Sequence, residues 1–215
     1  DTVALATYAG NVSSVLDPTD VAEKSKIHGA LERLNARGST AMNSGIQLAY
    51  NMAQAGFVPG EENRVIVLSD GDANVGPSSH QAILESIKGH ARQGITLSTI
   101  GFGMGNYKDT MMEQLANQGD GNYYYIDSLS EAKKVFGKNL AGTLQVIAKD
   151  VKIQVEFNPN AVETYRLIGY ENRDIADRDF RNDSVDAGEI GTGHTVTALY
   201  DLVLSDSGSQ DLATV

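Results

Sequence analysis

The chain lacks residues and motifs whose absence excludes whole classes of protein. It has no cysteine, which excludes disulfides, zinc–thiolate sites and cysteine nucleophiles. No apolar run approaches the roughly 20 residues that a membrane-spanning helix needs, so the sequence predicts no membrane span. The P-loop, the H-E-x-x-H motif and the G-x-S-x-G elbow are also missing. These absences argue against P-loop NTPases, H-E-x-x-H zinc proteases and α/β-hydrolases.

Basic residues are scarce. The chain has 17 Lys and Arg against 28 Asp and Glu, which gives a formal net charge of −11. Residues 151–215 hold 12 acids and 5 bases, net −7, and this leaves −4 for residues 1–150. A field of this sign repels phosphate backbones, so we expect no nucleic-acid partner. Divalent cations and basic protein surfaces suit the chain better.

The first 147 residues alternate between short apolar runs and amphipathic segments. Arg64–Leu68 and Ile95–Phe102 are almost unbroken apolar runs, which predicts adjacent strands covered on both faces of a parallel sheet. The other predicted strands are 3–8 and 122–126, and the predicted helices are 20–34, 43–55, 79–93, 107–117 and 129–146. This order predicts an α/β fold with a doubly wound, mostly parallel sheet.

The pattern changes near Ala148, where we place a domain boundary. Asp150–Phe157 alternates apolar and polar residues with a period of two, as an antiparallel strand with one exposed face does. Tyr165–Tyr170 and His194–Leu204 are similar, and the acidic stretch Glu171–Glu189 between them is predicted to be a long loop. Residues 148–215 are therefore predicted to form a β-rich extension of the domain 1–147.

Oxygen-bearing side chains follow the predicted strands in two strand-to-helix loops. The segment LSDGDANVG contains Asp70, Asp72 and Asn74, and the segment ARGSTAMNSGI contains Ser39 and Thr40. Ligands of open α/β sheets bind beyond the carboxyl ends of the strands, so these loops can converge on one site. Carboxylate and hydroxyl oxygens there suit Mg²⁺ or Mn²⁺. Alternatively, the hydroxyls only cap the next helix and Asp70-Gly71 only forms a turn.

The combination of these segments resembles a known family. A strand ending in SDGxxN, a helix start GST…GI and a strand TIGFG resemble the von Willebrand factor type A (VWA) domain over about residues 1–147. The runs AKDVKIQVEFNPNAVETYRLIGYENR and DAGEIGTGHTVTALYDL look like the extension of the bacterial YfbK-like branch of that family. The resemblance implies a Rossmann-like fold that binds proteins through a metal and is not an enzyme.

The resemblance also implies a metal-ion-dependent adhesion site (MIDAS). Thr40 and Asp70 match metal ligands of the family, while Ser39, Asp72 and Asn74 would support them or line the rim. In the complete protein the ion would be Mg²⁺ or Mn²⁺, and an acidic group of a protein partner would complete its coordination. We expect Thr40 and Asp70 to lie within reach of one cation.

This sequence departs from the family in one motif. The Asp-x-Ser-x-Ser motif, which follows the first strand of the family, does not occur. We therefore expect a domain lacking its first strands, an incomplete MIDAS that holds metal weakly or not at all, and a missing N-terminal segment or second chain that completes the sheet.

Two other functions remain open from the sequence alone. One is a metal-dependent phosphohydrolase that uses Asp70 and Asp72, although no basic residue lies in 68–76 to meet a phosphate. The other is a scaffold module with a vestigial metal site. The resemblance further suggests a bacterial periplasmic or cell-envelope location.

Overall fold

The chain forms two compact units, Asp1–Gln145 and Val146–Val215. The computed structural model describes residues 1–9, 11–35, 41–70, 77–103, 109–138, 146–169, 175–182, 184–185, 187–192, 195–206 and 211–215. No helix within these residues is both long and apolar enough to span a membrane.

The first unit has a mixed α/β architecture with two sheets. Its strands are β1 (Thr2–Thr7), β2 (Ser13–Asp20), β3 (Asn63–Ser69), β4 (Ile95–Phe102) and β5 (Tyr123–Ile126). Its α-helices are α1 (Lys24–Leu31), α2 (Met42–Ala55), α3 (Pro77–Ala91), α4 (Asp109–Gln118) and α5 (Leu129–Lys133), and one π-helical turn, Lys134–Lys138, continues α5. β1 and β2 pair as an antiparallel hairpin, and β3, β4 and β5 form a parallel sheet in that order. The predicted adjacency of β3 and β4 is confirmed.

The main core lies between one face of the parallel sheet and three helices. Strand β4 is central in this sheet and nearly every residue of it is buried, as its apolar sequence predicts. Helices α2, α3 and α4 supply the facing apolar side chains. The buried members of this cluster are Met42, Ile46, Tyr50, Val65, Val67, Ile83, Ile87, Ile95, Leu97, Met112 and Leu115.

The opposite face of the sheet is covered less completely. A smaller cluster of Ile100, Ile126 and Val135 packs there against α5 and its π turn. On β3, however, Ile66 is 37% exposed and Leu68 is 50% exposed. The expectation that β3 is covered on both faces was therefore wrong, because the described cluster on this face packs over β4 and β5 and includes no residue of β3.

Several boundaries in the first unit differ from the sequence-based expectation. Ser13–Asp20 forms β2 despite Pro18, since an edge strand of a hairpin tolerates proline. The helix expected from Asp20 consequently starts only at Lys24. The helix expected up to Val146 is also too long, because Val146 already begins the next strand.

The second unit is built from antiparallel strand pairs. Its strands are β6 (Val146–Val151), β7 (Glu156–Phe157), β8 (Val162–Ile168), β9 (Gly188–Gly191), β10 (Leu199–Leu204) and β11 (Ala213–Thr214), with a 3₁₀ turn at Asp177–Asp179. They pair as β6 with β9, β7 with β11 and β8 with β10. Phe157 packs between Tyr165 and Tyr200, with ring centroids 4.5 and 5.0 Å away.

The β-rich character of this unit was predicted, but several strand limits were not. The expected strand Asp150–Phe157 is interrupted after Val151, and Asp150 adopts a φ of +54°. The expected strand from His194 begins only at Leu199, and β9 lies at the end of the stretch expected to be a loop. Period-two alternation marked the strand regions but not the positions where pairing stops.

Tyr50 allows a simple test of the main core. Its side chain is 1% exposed and stacks on His90 with 4.0 Å between ring centroids, yet its hydroxyl has no hydrogen-bond partner among the described residues. Burial, and secondarily the charge of Asp120, raises the pKa of this hydroxyl. We expect Tyr50→Phe to leave the free energy of unfolding unchanged or raise it by up to about 1 kcal/mol, because an unsatisfied buried group is removed. Urea denaturation measures this change, and a clear loss of stability would contradict it.

Candidate functional site

The carboxyl ends of β3, β4 and β5 bring one predicted site residue to the sheet edge. Asp70 directly follows β3 and is exposed there. Gly103 follows β4 with a φ of +118°, a conformation that favours glycine, and a Cβ added to it would lie 3.8 Å from the Asp70 carbonyl oxygen. The Tyr125 hydroxyl, from β5, donates a hydrogen bond to the Gly103 carbonyl. Gly103 is thereby tied to β5 and lies close to Asp70.

Tyr8 also lies at this edge of the sheet, although it was not among the site residues expected from the sequence. It follows β1, and its hydroxyl donates a hydrogen bond to the Leu68 carbonyl near the end of β3. Burial raises the pKa of the Tyr8 hydroxyl, a hydrogen bond with the Ser69 side chain lowers it, and the charge of Asp70 raises it further. Tyr8 therefore lies within electrostatic reach of Asp70. The rule that selected Asp70 considers residues that follow a predicted strand, whereas the strand predicted for residues 3–8 includes Tyr8.

The start of α2 is attached to the same tyrosine. The backbone N–H of Ala41, the residue before α2, donates a 2.8 Å hydrogen bond to the Tyr8 carbonyl. One turn later, a Cβ added to Gly45 would come within 2.3 Å of the Tyr8 Cβ. Only glycine at position 45 leaves room for this approach. Ala41 and the first turn of α2 thus lie beside the end of β1.

The other predicted site residues lie outside the described part of the chain. These are Ser39, Thr40, Asp72 and Asn74. The proximity of Thr40 to Asp70 therefore stays a prediction. The described residue next to Thr40 is Ala41, and both Ala41 and Asp70 interact with Tyr8.

The donor atoms at this edge suit a hard cation. The Asp70 carboxylate is an oxygen donor of the kind that Mg²⁺ and Mn²⁺ prefer. Within the described residues, no group of three or more His, Cys, Asp or Glu side chains is placed to hold an ion. The other ligands of an ion at Asp70 would therefore have to be oxygen atoms that do not belong to such a cluster.

Comparison with known families agrees with this architecture. The model of the von Willebrand factor type A domain matches residues 1–138. The chain belongs to the von Willebrand factor type A family. A second family model, described as the C-terminal domain of the uncharacterized protein YfbK, matches residues 142–214 of this VWA chain.

A relative of the VWA chain matches nearly all of it. The uncharacterized protein YfbK of Escherichia coli (strain K12) is 44% identical over 205 residues. The match covers 95% of this chain but only 36% of the E. coli protein. The VWA chain therefore spans about a third of the length of this relative.

Solved structures share the fold at low sequence identity. A von Willebrand factor type A protein from Catenulispora acidiphila aligns with a TM-score of 0.55 and 18% identity, covering 99% of this chain and 55% of that protein. Proximal thread matrix protein 1 of the mussel byssus, with a zinc-occupied MIDAS motif, aligns with a TM-score of 0.50 and 20% identity, covering 64% of this chain and 35% of that protein.

Proposed function

We propose that this VWA chain is part of a metal-dependent protein-binding module and has no catalytic activity. The observation that supports the proposal is the exposed carboxylate of Asp70 at the carboxyl edge of the sheet, where the ends of β1, β3 and β4 meet. Ligands of open α/β sheets bind at this edge. A related fold, the mussel protein, is described with a metal ion in its MIDAS motif.

Asp70 and Thr40 are the metal ligands in this proposal. Mg²⁺ or Mn²⁺ would bind them, Ser39, Asp72 and Asn74 would support the ligands or line the rim, and an acidic group of the partner protein would complete the coordination. One carboxylate and one hydroxyl leave roughly four positions of an octahedral ion to water. The MIDAS of this chain alone is therefore proposed to be incomplete and weak.

We also propose that another strand completes the sheet. Helix α2 packs against both the hairpin and the parallel sheet, although β1 and β3 are not paired with each other. In the described sheet, β3 pairs with β4 on one side only. In this proposal an N-terminal segment or a second chain adds a strand beside β3, because an open strand edge favours such pairing.

Selection from a displayed peptide library tests the binding proposal. With a segment carrying Asp-x-Ser-x-Ser placed before Asp1, we expect peptides that contain Asp or Glu to be enriched on the protein in Mg²⁺ or Mn²⁺, and EDTA and Asp70→Asn should each abolish the enrichment. Asp120→Asn is the matched control. It also removes one negative charge, but Asp120 lies between α4 and β5, at the opposite end of the strands from Asp70. Enrichment that survives both EDTA and Asp70→Asn would refute the metal-dependent mode. Magnesium-dependent hydrolysis of a phosphate ester would favour an enzyme instead.

A further inference from the structure

We infer that two copies of this chain associate through one exposed face of the strand pair β8–β10, with a twofold axis parallel to the strands. This face belongs to the second unit, and its association does not depend on the proposed metal site. Its partner is a second copy of the same chain.

The two faces of the β8–β10 pair differ in what they contact. Successive residues of a strand point to opposite faces of a sheet. On one face, Phe157 packs against the rings of Tyr165 and Tyr200. The opposite face carries three large apolar side chains that are 49%, 60% and 53% exposed, namely Ile168, Leu199 and Val203. Neighbouring apolar side chains on an exposed face are typical of an interaction surface.

The register of the two strands gives this exposed face a complementary pattern. It places three residue pairs there, which are Ile168 opposite Leu199, Arg166 opposite Asp201 and Thr164 opposite Val203. Arg166 Nη2 lies 3.3 Å from Asp201 Oδ2, and the two side chains are 77% and 63% exposed. The centre of the face is therefore neutral, although residues 151–215 carry a net charge of −7. A second copy of this face can approach it without bringing like charges together.

A twofold axis parallel to the strands makes the face complementary to itself. In a symmetric dimer the same patch of each copy meets the other, and packed sheets lie about 10 Å apart with their strands within about 30°. With this axis, β8 of one copy lies over β10 of the second. Arg166 then faces Asp201 of the second copy, and Ile168 faces its Leu199. An axis across the strands would instead oppose Arg166 to its own copy, so charge selects the first arrangement.

The small size of the face predicts a weak dimer. It offers three residue pairs per copy, whereas stable interfaces use about 20–30 residues on each side. The net charge of −11 also opposes association. This repulsion is largely screened at about 0.15 M salt, where the Debye length is about 8 Å. The two ion pairs between the copies mainly fix their orientation.

Sedimentation equilibrium of the 215-residue chain at this salt concentration tests the inference with a charge exchange. We expect a monomer–dimer equilibrium in the submillimolar to millimolar range. Arg166→Glu and Asp201→Arg should each raise the dimer dissociation constant at least about tenfold, because like charges then meet twice. An equimolar mixture of the two variants should associate as the wild type does, since one chain then carries two acids at these positions and the other two bases.

Two further variants separate the face from general effects of charge and folding. Glu163→Arg makes the same change of charge on β8 but on its other face, and it should dimerise as the wild type does. Leu199→Thr keeps a residue suited to strands and removes an apolar contact, so it should weaken the dimer. Urea denaturation of each variant shows whether its second unit still folds.

Several outcomes would overturn the inference. A wild type that stays monomeric over the whole range has no such surface. If the mixture associates no better than the single variants, Arg166 and Asp201 pair only within one chain. If association persists in Arg166→Glu and Leu199→Thr, the copies meet elsewhere. That last result would leave the proposed addition of a strand beside β3 intact, because β3 lies in the first unit.

Discussion

Calorimetric titration with Mg²⁺ is expected to show weak or undetectable binding by the 215-residue chain. Clear binding is expected once a segment carrying Asp-x-Ser-x-Ser precedes Asp1. In that longer protein, Asp70→Asn should lower the affinity for Mg²⁺ at least about 100-fold, because removal of a ligand costs no less than the loss of a supporting residue. This is the largest functional effect that we predict.

Ligand number and charge account for this expectation. Asp70 and Thr40 offer one carboxylate and one hydroxyl, while Mg²⁺ loses its waters reluctantly and needs near-octahedral oxygen geometry. The described residues contain no cluster of three or more carboxylates or imidazoles that could compensate. Asp-x-Ser-x-Ser would add a second carboxylate and two hydroxyls. Asn in place of Asp70 keeps the size of the side chain and removes its charge.

The control for this experiment is Asp120→Asn, which should bind Mg²⁺ as the unchanged longer protein does. Tight binding by the 215-residue chain alone would show that the ligands are misplaced. Absence of binding by the longer protein, or indifference to Asp70→Asn, would favour a scaffold with a vestigial site.

Gly121→Ala is expected to lower the free energy of unfolding by about 3 kcal/mol or more, at the upper end of the usual cost of overpacking a core. A Cβ at this position would lie 2.1 Å from the Leu97 carbonyl oxygen, 2.6 Å from its carbonyl carbon and 2.8 Å from the Ser98 Oγ. Two of these atoms belong to the backbone and cannot rotate away. Urea denaturation followed by circular dichroism measures the loss.

The position of Leu97 explains why the structure cannot relax around the new methyl group. Leu97 is fully buried in β4, which pairs with β3 on one side and β5 on the other. Its backbone N–H also donates to the carbonyl of Gly119, two residues before Gly121. Moving Leu97 would therefore break hydrogen bonds of the central strand.

Gly89→Ala is the matched control for this substitution. Gly89 lies within α3, and a Cβ added there would meet no atom within 4 Å. This change should raise the free energy of unfolding by about 0.5–1 kcal/mol, because alanine favours a helix over glycine. Equal stability of the two alanine variants would mean that the turn before β5 is not packed against β4 as described.

Local sequence was sufficient for several elements of the fold. The apolar runs of β3 and β4 predicted neighbouring parallel strands, and the spacing of apolar residues in α2 predicted a helix. Each of these features depends on residues that are close together in the sequence. The spacing of the apolar residues among them is sufficient to predict the element.

The features that sequence missed depend on distant residues. An apolar run alone did not show that Ile66 and Leu68 are partly exposed, because exposure depends on which element covers that face of β3. The interruption after Val151 likewise follows from where β9 stops pairing with β6. The hydrophobic pattern shows which side chains can be buried. Tertiary contacts determine which element covers them.

The sequence by itself determined the α/β class, the family and the candidate ligand Asp70, since these depend on periodicity and on short motifs with fixed spacing. Only the tertiary structure revealed the contacts of Tyr8. Tyr8 is 60 residues from Leu68 along the chain, yet its hydroxyl bonds to the Leu68 carbonyl. Its carbonyl binds the N–H of Ala41. A hydrogen bond between distant residues leaves no periodic trace in the sequence, because it requires only one suitable group at each end.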